Sequence, residues 1–227
     1  MLATLATAAA VPVTPWCAAH PPAPACRSSA QPRRARSLFA HGVVTPPWAL
    51  FTEEPHGAVR GSQSSPQHVV SATLRGEYLE ASWSGAERGV LGFDGRPRDY
   101  RLAARGGVAL VVRYQVLERP TRPVLVGMRC APPPHGVTGH EAGGRDWRSC
   151  GSPFGAVVDL LPLLSSVPLQ RWRTLVLPLH CLTAGGAELA DVGAPLIVDT
   201  AGSLTLRIGA VRFGSYAAPC PAPAGRT

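Results

Sequence analysis

The chain has 227 residues, of which 45% are hydrophobic and 16% are charged, so it can bury a sizeable core and we do not expect wholesale disorder. Its 24 glycines and 24 prolines disfavour a helical bundle, its length is short for a (β/α)₈ barrel, and it has no apolar run long enough for a transmembrane helix. The positive charge behind the net +8 comes from arginine alone, and its scatter along the sequence argues against a nucleic-acid-binding surface.

The two ends of the chain differ in composition from the middle. Residues 1–36 are rich in Ala, Pro, Ser and Arg, and Met1–Ala10 lacks the positively charged start of a secretory signal. We predict a disordered leader there, with a weak signal peptide or the remnant of an upstream region as the alternatives. Residues 215–227, with prolines at alternate positions, predict a short flexible tail.

Between these ends the apolar residues recur at every second position, as in strands that have one face on a core. Val108–Val116 is the longest such run, with Arg113 and Gln115 on its opposite face. In the last run the alternation changes phase at Gly209, which predicts a β-bulge. Asp159–Ser166 is the one segment that could hold a helical turn. The other runs cover residues 79–83, 124–128, 175–179 and 204–213.

About eight short strands separated by turn signals predict an all-β fold, a β-sandwich or jelly roll. We divide the chain accordingly into four parts. The leader covers 1–36, a connector with the first strands covers 37–77, the β-sandwich covers 78–214, and the tail covers 215–227.

An ordered series of short motifs runs through the same region. It begins at Trp83-Ser84-Gly85, includes the run WRTLVLPLHC at Trp172–Cys181, and ends at Val211–Phe213. In this series the chain resembles the C-terminal galactose-binding-like (ExoP-type) domain that is appended to bacterial family 3 glycoside hydrolases. The other matching segments are Val108–Val116, Pro120–Val124, Met128–Cys130, Val158–Leu160, Ala194–Leu196 and Thr200–Gly202. Upstream, Leu38–Gly42 and Pro47–Leu50 resemble the connector into that domain.

The resemblance implies a non-catalytic jelly roll near the active site of a β-glucosidase or exo-acting β-glucan hydrolase. It implies weak contact with β-glucan or gluco-oligosaccharide, a glycoside hydrolase catalytic domain as partner, and a periplasmic or extracellular location. We expect no cofactor, no nucleic acid and no membrane partner. Two other interpretations stay open: a purely structural module that docks on the catalytic domain, and a fragment of a longer hydrolase.

The chain lacks what catalysis in that family requires. The family's nucleophile is an aspartate in a Ser/Thr-Asp-Trp motif on a (β/α)₈ barrel, whereas residues 145–147 (Arg-Asp-Trp) lie in a segment rich in Gly, Pro and His with no barrel strand beside it. A retaining glycosidase also holds two carboxyl groups about 5 Å apart on rigid elements. The pairs Glu77/Glu80 and Asp94/Asp99 fall on exposed faces or turns. We assign no catalytic residue and predict that the chain is not an enzyme.

Cys130 and Cys150 border a segment rich in Gly and Pro between two predicted strands, which predicts a disulfide that closes this loop. Such a bond would stabilise the fold by about 3 kcal/mol in an oxidising compartment. A zinc site formed with His135 and His140 is the alternative, but the spacing is not a standard one and we assign no metal. Cys181 is interpreted as a small buried residue. The remaining cysteines are assigned no structural role: Cys17, Cys26 and Cys220.

Aromatic residues are where a sugar-binding domain would act, because sugar rings stack their apolar faces on Trp or Tyr. Trp83 and Trp172 lie on apolar strands and are interpreted as core anchors. Tyr78, Tyr100 and Trp147 fall on outward or loop positions. These three residues are therefore the predicted glycan contacts.

Overall fold

The structure, a computed structural model, describes residues 37–55, 57–61, 69–131, 150–151, 156–184, 186–216 and 220. The predicted leader, Trp147, and the possible zinc ligands His135 and His140 lie outside these residues. No helix of the described ranges is long and apolar enough to cross a membrane.

Short strands account for most of the described chain. The strands are β1 (Ser37–Ala40), β2 (Val43–Val44), β3 (Ala49–Glu54), β4 (Gly57–Arg60), β5 (Val70–Arg75), β6 (Tyr78–Trp83), β7 (Gly89–Asp94), β8 (Val108–Glu118), β9 (Val124–Cys130), β10 (Ala156–Asp159), β11 (Arg173–Pro178), β12 (Val192–Thr200) and β13 (Leu204–Ser215). The helices are α1 (Arg101–Arg105), α2 (Leu161–Ser166) and α3 (Leu179–Thr183). The strands β1–β5, which precede residue 77, are mostly too short for an alternating pattern to reveal them.

The strands form two antiparallel sheets. The seven-stranded sheet has the order β11-β8-β13-β1-β2, with β6 also paired to β13 and β5 paired to β6. The six-stranded sheet has the order β10-β9-β12-β7-β3-β4. One cluster of buried side chains contains Trp83 and Leu110 from the first sheet together with Phe93 and Met128 from the second. The inner faces of the two sheets therefore share one core, which confirms the predicted β-sandwich.

Strand β13 changes its partner halfway along its length. Leu204–Ile208 pairs with β6 and Ala210–Arg212 pairs with β1, while β8 lies along the other edge of β13. The register against β8 shifts between Ile208 and Ala210, which confirms the predicted bulge at Gly209. The bulge lies where the strand passes from one partner to the other.

The short helices correct one expectation. Helix α2 lies in the predicted segment, where Asp159 Oδ1 accepts a hydrogen bond from the Leu161 N–H at 2.8 Å. Helices α1 and α3 were not expected, and each has only five residues. At α1, the Asp99 carboxylate accepts a hydrogen bond from the Arg101 N–H at 2.9 Å. Such short helices depend on local hydrogen bonds and on packing rather than on a recognisable periodic pattern.

Two disulfides lie in the described chain. The Cα atoms are 5.1 Å apart in Cys130–Cys150 and 5.4 Å apart in Cys181–Cys220, both within the range that a disulfide requires. Cys181 is buried, as interpreted, but it is also paired, and the interpretation that Cys220 has no structural role is wrong. These two cysteines are 39 positions apart, so sequence spacing does not reveal that folding brings them together.

Tyr114 lies on the inner face of β8, where it lines a small apolar cavity of about 30 Å³ between the sheets. Burial raises the pKa of the Tyr114 phenol above its ordinary value, because the phenolate is poorly solvated there, and the nearby charge of Arg173 opposes this shift. The folded protein therefore favours the neutral, protonated form of the Tyr114 phenol.

We expect this tyrosine to make the fold sensitive to alkali. Above about pH 10 the unfolded chain ionises at position 114 while the folded chain keeps its proton, so the free energy of unfolding should fall as the pH rises. Urea denaturation at neutral pH and above pH 10 should show a smaller alkaline loss for Tyr114→Phe than for the unchanged protein. An equal loss in both proteins would contradict this assignment.

Candidate functional site

Two aromatic rings meet on the outer face of the seven-stranded sheet. Tyr78 is the first residue of β6, and Trp172 immediately precedes β11. Their ring centroids are 6.4 Å apart, with the planes at 64°, an edge-to-face arrangement that aromatic pairs favour. The Trp172 side chain is 37% exposed. It therefore combines a fixed position with a surface that a ligand can reach.

An arginine guanidinium group lies against each ring. The Cζ atom of Arg113 lies 4.6 Å from the centroid of the Trp172 ring, and that of Arg207 lies 4.7 Å from the centroid of Tyr78. Arg207 Nε also donates a hydrogen bond of 2.9 Å to Glu80 Oε2. We call these five residues the Tyr78–Trp172 surface. It combines ring carbons with charged donors and a carboxylate acceptor, the chemistry that recognises a sugar ring and its hydroxyl groups.

The bulge at Gly209 leaves room for the Trp172 ring. A Cβ atom at this position would lie 3.0 Å from Cζ3 and 3.1 Å from Cη2 of Trp172, closer than carbon atoms normally approach. The absence of a side chain there lets the indole lie directly over strand β13. Gly209 therefore contributes to the site although it has no functional group.

Trp172 is not the core anchor that its apolar strand suggested, because it is exposed. The inner face of β11 is formed by Leu175 and Leu177, and Trp172 falls on the opposite parity of the alternation. That parity was the signal in the sequence that could have identified it as a surface residue. Trp83, the other predicted anchor, is buried in the core.

Tyr100 does not lie at the surface. Its side chain is only 9% exposed and packs against Phe213, with ring centroids 5.0 Å apart. The charged neighbours Asp99 and Arg101 made this position look like an outward loop, but the ring turns into the core. Tyr78 is thus the predicted aromatic residue that contributes to the described surface.

Three of the carboxylates considered for catalysis, Asp94, Asp99 and Glu80, are paired with arginines, and Glu77 is exposed in a turn. Asp94 lies 2.7 Å from Arg60, and Asp99 lies 2.7 Å from Arg101. Hydrogen bonds from the Arg101 side chain and backbone hold the pKa of Asp99 at about 2, below its ordinary value. A catalytic acid in a glycosidase needs a raised pKa, so this environment opposes that role.

The described side chains include one group of metal-ligating types, His180 with Cys181 and Cys220. The Cys181–Cys220 disulfide engages both sulfur atoms, which leaves neither as the thiolate that a metal would bind. Likewise, the Cys130–Cys150 disulfide removes two ligands of the alternative zinc site.

An open cavity of about 320 Å³ lies beside helices α1 and α3. Its charged and polar lining consists of Arg101, Arg105, His180, Thr183 and Glu188, and neither Trp nor Tyr takes part. It therefore has no flat apolar ring of the Trp or Tyr type on which a sugar could stack. The Tyr78–Trp172 surface is the better candidate for glycan contact.

Comparisons with known proteins agree with the fold. A family model described as galactose-binding domain-like matches residues 46–213. The extra C-terminal domain of exo-1,3/1,4-β-glucanase (ExoP) from a Pseudoalteromonas species is 13% identical with a TM-score of 0.54, and the alignment covers 80% of this chain and 93% of that domain. The whole ExoP enzyme aligns with 13% identity and a TM-score of 0.56, covering 84% of this chain and 22% of the enzyme. A comparison with curated protein sequences finds no match.

Proposed function

The chain belongs to the galactose-binding domain-like family of ExoP-type C-terminal domains, and from this membership we propose that it is a non-catalytic accessory module that contacts glycan beside a glycoside hydrolase catalytic domain. The observation that carries the proposal is the exposed Trp172 ring held edge to face against Tyr78. β-Glucan or a gluco-oligosaccharide is the proposed ligand. The whole hydrolase activity belongs, in this proposal, to the partner domain.

The chemistry of the surface supports this role. The C–H faces of a sugar ring are apolar and can cover exposed indole or phenol carbons, which removes apolar area from water. Arg113 and Glu80 offer a donor and an acceptor for hydroxyl groups near the rings. The Tyr78–Trp172 surface contains two rings, so we propose weak binding, which suits a module that keeps substrate near a separate active site.

The two disulfides support a location outside the cytoplasm. Disulfides persist in the periplasm and in secreted proteins but are rare where cytosolic reductants act. We propose the same periplasmic or extracellular compartment for the module and for its partner hydrolase.

Native gel electrophoresis with soluble β-glucan in the gel tests the proposal. The unchanged protein should be retarded, and Trp172→Ala and Tyr78→Ala should weaken binding about tenfold, because truncating an aromatic anchor removes more than about 1 kcal/mol. Leu102→Ala, at a side chain that is 77% exposed on α1, is the matched control and should be retarded like the unchanged protein.

The same protein should not hydrolyse aryl β-glucosides. Turnover that disappears in Asp146→Asn would contradict the non-catalytic role. If the unchanged protein is not retarded by β-glucan, the result contradicts β-glucan as the ligand, and the absence of retardation by any glycan favours the structural docking role. Circular dichroism of each variant should match that of the unchanged protein, so that a loss of binding is not a loss of folding.

A further inference from the structure

A third aromatic residue lies on the same outer face, immediately after β13. Tyr216 is 39% exposed, and its phenol oxygen accepts a hydrogen bond of 3.2 Å from Arg212 Nη2. A Cβ atom at Gly214 would lie 3.0 Å from Tyr216 Cε2 and 3.3 Å from Arg212 Nη1. Here too, a glycine of β13 lets an aromatic ring and an arginine lie together over the strand.

The arginines beside these rings follow the direction of β13. Arg207 and Arg212 belong to β13 itself, and Arg113 lies opposite Ala210 in the neighbouring strand β8. Arg207 lies opposite Gln115 and Arg212 opposite Val111, so on β8 the three arginines occupy levels two residues apart, about 7 Å each. We call these residues the arginine–aromatic row. Its members are the pairs Arg207 with Tyr78, Arg113 with Trp172, and Arg212 with Tyr216.

The positive charge of two of the three guanidinium groups is not neutralised by an ion pair among the described residues. Arg207 is bound to Glu80, whereas the ion pairs of the described residues include neither Arg113 nor Arg212. Arg171, exposed immediately before Trp172, adds further positive charge, whereas Arg173 has the parity of the inner-face residues Leu175 and Leu177. On the outer face Glu118 approaches Thr205 at 3.2 Å, and Glu77 is exposed in the turn before β6. Positive charge therefore exceeds negative charge around the row.

Arg113 offers hydrogen-bond donors beside the Trp172 ring. The Arg113 guanidinium has five N–H donors in a planar fork, and no ion pair of the described residues engages them. Those N–H groups match the paired oxygens of a carboxylate or a sulfate. A neutral sugar offers hydroxyl groups only and gains no charge attraction from these arginines.

We propose that the arginine–aromatic row binds a linear glycan that carries carboxylate or sulfate groups, with the sugar rings against the aromatic residues and the anionic groups on Arg113 and Arg212. This proposal rests on the proposed function, since it names the class of glycan that the same surface prefers. The glycan runs along β13, and successive anionic groups meet successive arginines.

Isothermal titration calorimetry with matched oligosaccharides tests the preference. Hexagalacturonate is compared with its methyl ester, which keeps the backbone and removes the charge, and sulfated cellohexaose is compared with cellohexaose. Each acidic ligand should bind at least about fivefold more tightly than its neutral counterpart, and the difference should shrink as salt is added. Tighter binding of only one acidic ligand identifies whether carboxylate or sulfate is the group recognised.

Arginine variants separate the row from the general positive charge of the protein. Arg212→Ala should weaken binding of the preferred acidic ligand about fivefold while changing cellohexaose binding much less, and Arg113→Ala should weaken binding of the acidic ligand by at least about fivefold. Arg60→Ala removes the same charge from the six-stranded sheet and is the matched control. Arg113→Lys should restore only part of the affinity, because lysine keeps the charge but lacks the planar set of donors.

The outcomes distinguish this inference from the proposed function. Equal binding of acidic and neutral ligands, or an equal effect of Arg60→Ala and Arg113→Ala, overturns the acidic preference and leaves glycan contact intact. If no oligosaccharide binds and Trp172→Ala changes nothing, both proposals fail. Acidic binding that is lost in Arg113→Ala and Arg212→Ala but kept in Arg60→Ala supports the row.

Discussion

Replacement of Trp83 by alanine should lower the free energy of unfolding by about 3–5 kcal/mol, the range for removal of a large aromatic side chain from a core. The Trp83 side chain is 2% exposed at the inner face of β6, and its Nε1 donates a hydrogen bond of 2.9 Å to the Gly89 carbonyl oxygen. Alanine would leave a cavity and would also leave that carbonyl without its partner. Urea denaturation followed by circular dichroism measures the loss.

The exposed tryptophan provides the control for this prediction. Trp172→Ala removes the same side chain from the outer face and should change the free energy of unfolding by about 1 kcal/mol or less. If Trp83→Ala does not fold, Trp83→Phe keeps most of the ring volume and provides a variant whose smaller loss in the free energy of unfolding can be measured. Equal losses for Trp83→Ala and Trp172→Ala would contradict the assignment of these two residues to core and surface.

Loss of the Cys181–Cys220 disulfide should have a comparable effect on stability. The bond joins residues 39 positions apart, and a closed loop of that length limits the freedom of the unfolded chain by about 4 kcal/mol in the entropic description. The combined variant Cys181→Ala with Cys220→Ser should therefore unfold at a lower urea concentration than the unchanged protein. The measurement is made under oxidising conditions.

Two comparisons check the origin of this effect. Addition of reductant should abolish the difference between the variant and the unchanged protein, apart from the contribution of the altered side chains. The variant without the Cys130–Cys150 bond, whose residues are 20 positions apart, should lose about 3 kcal/mol, somewhat less than the first. A difference that persists unchanged in reductant would mean that the Cys181–Cys220 bond is not its cause.

The sequence was informative about the sandwich because its physical signal is local. A strand with one face on the core must alternate, and β8 shows this alternation from Val108 to Val116. The bulge at Gly209 is visible for the same reason, since an extra residue shifts the phase of the alternation. Strands β2 and β4 have two and four residues, and no periodicity can be recognised over that length.

The candidate site was predictable only in part. Tyr78 was identified because it alternates with the buried Leu79. Trp172 was misassigned because it precedes an apolar strand, although it lies on the opposite parity from the buried residues Leu175 and Leu177 of that strand. Tyr100 was assigned to the surface from its charged neighbours, yet its contact with Phe213 depends on a strand more than a hundred positions away. The row along β13 brings together residues from three strands and two connecting segments. Only the folded arrangement reveals that combination.

The partners of β13 determine when the protein can fold during its synthesis. Every strand of the six-stranded sheet has been made by Thr200, whereas the pairs β5–β6, β8–β11 and β1–β2 are joined to one another only through β13. In a growing chain that ends before Leu204, these three strand pairs therefore have no strand that could join them into the seven-stranded sheet. Contacts between distant parts of the sequence slow folding, and β1 meets β13 across most of the described chain. The seven-stranded sheet is therefore completed only after strand β13 has been synthesised.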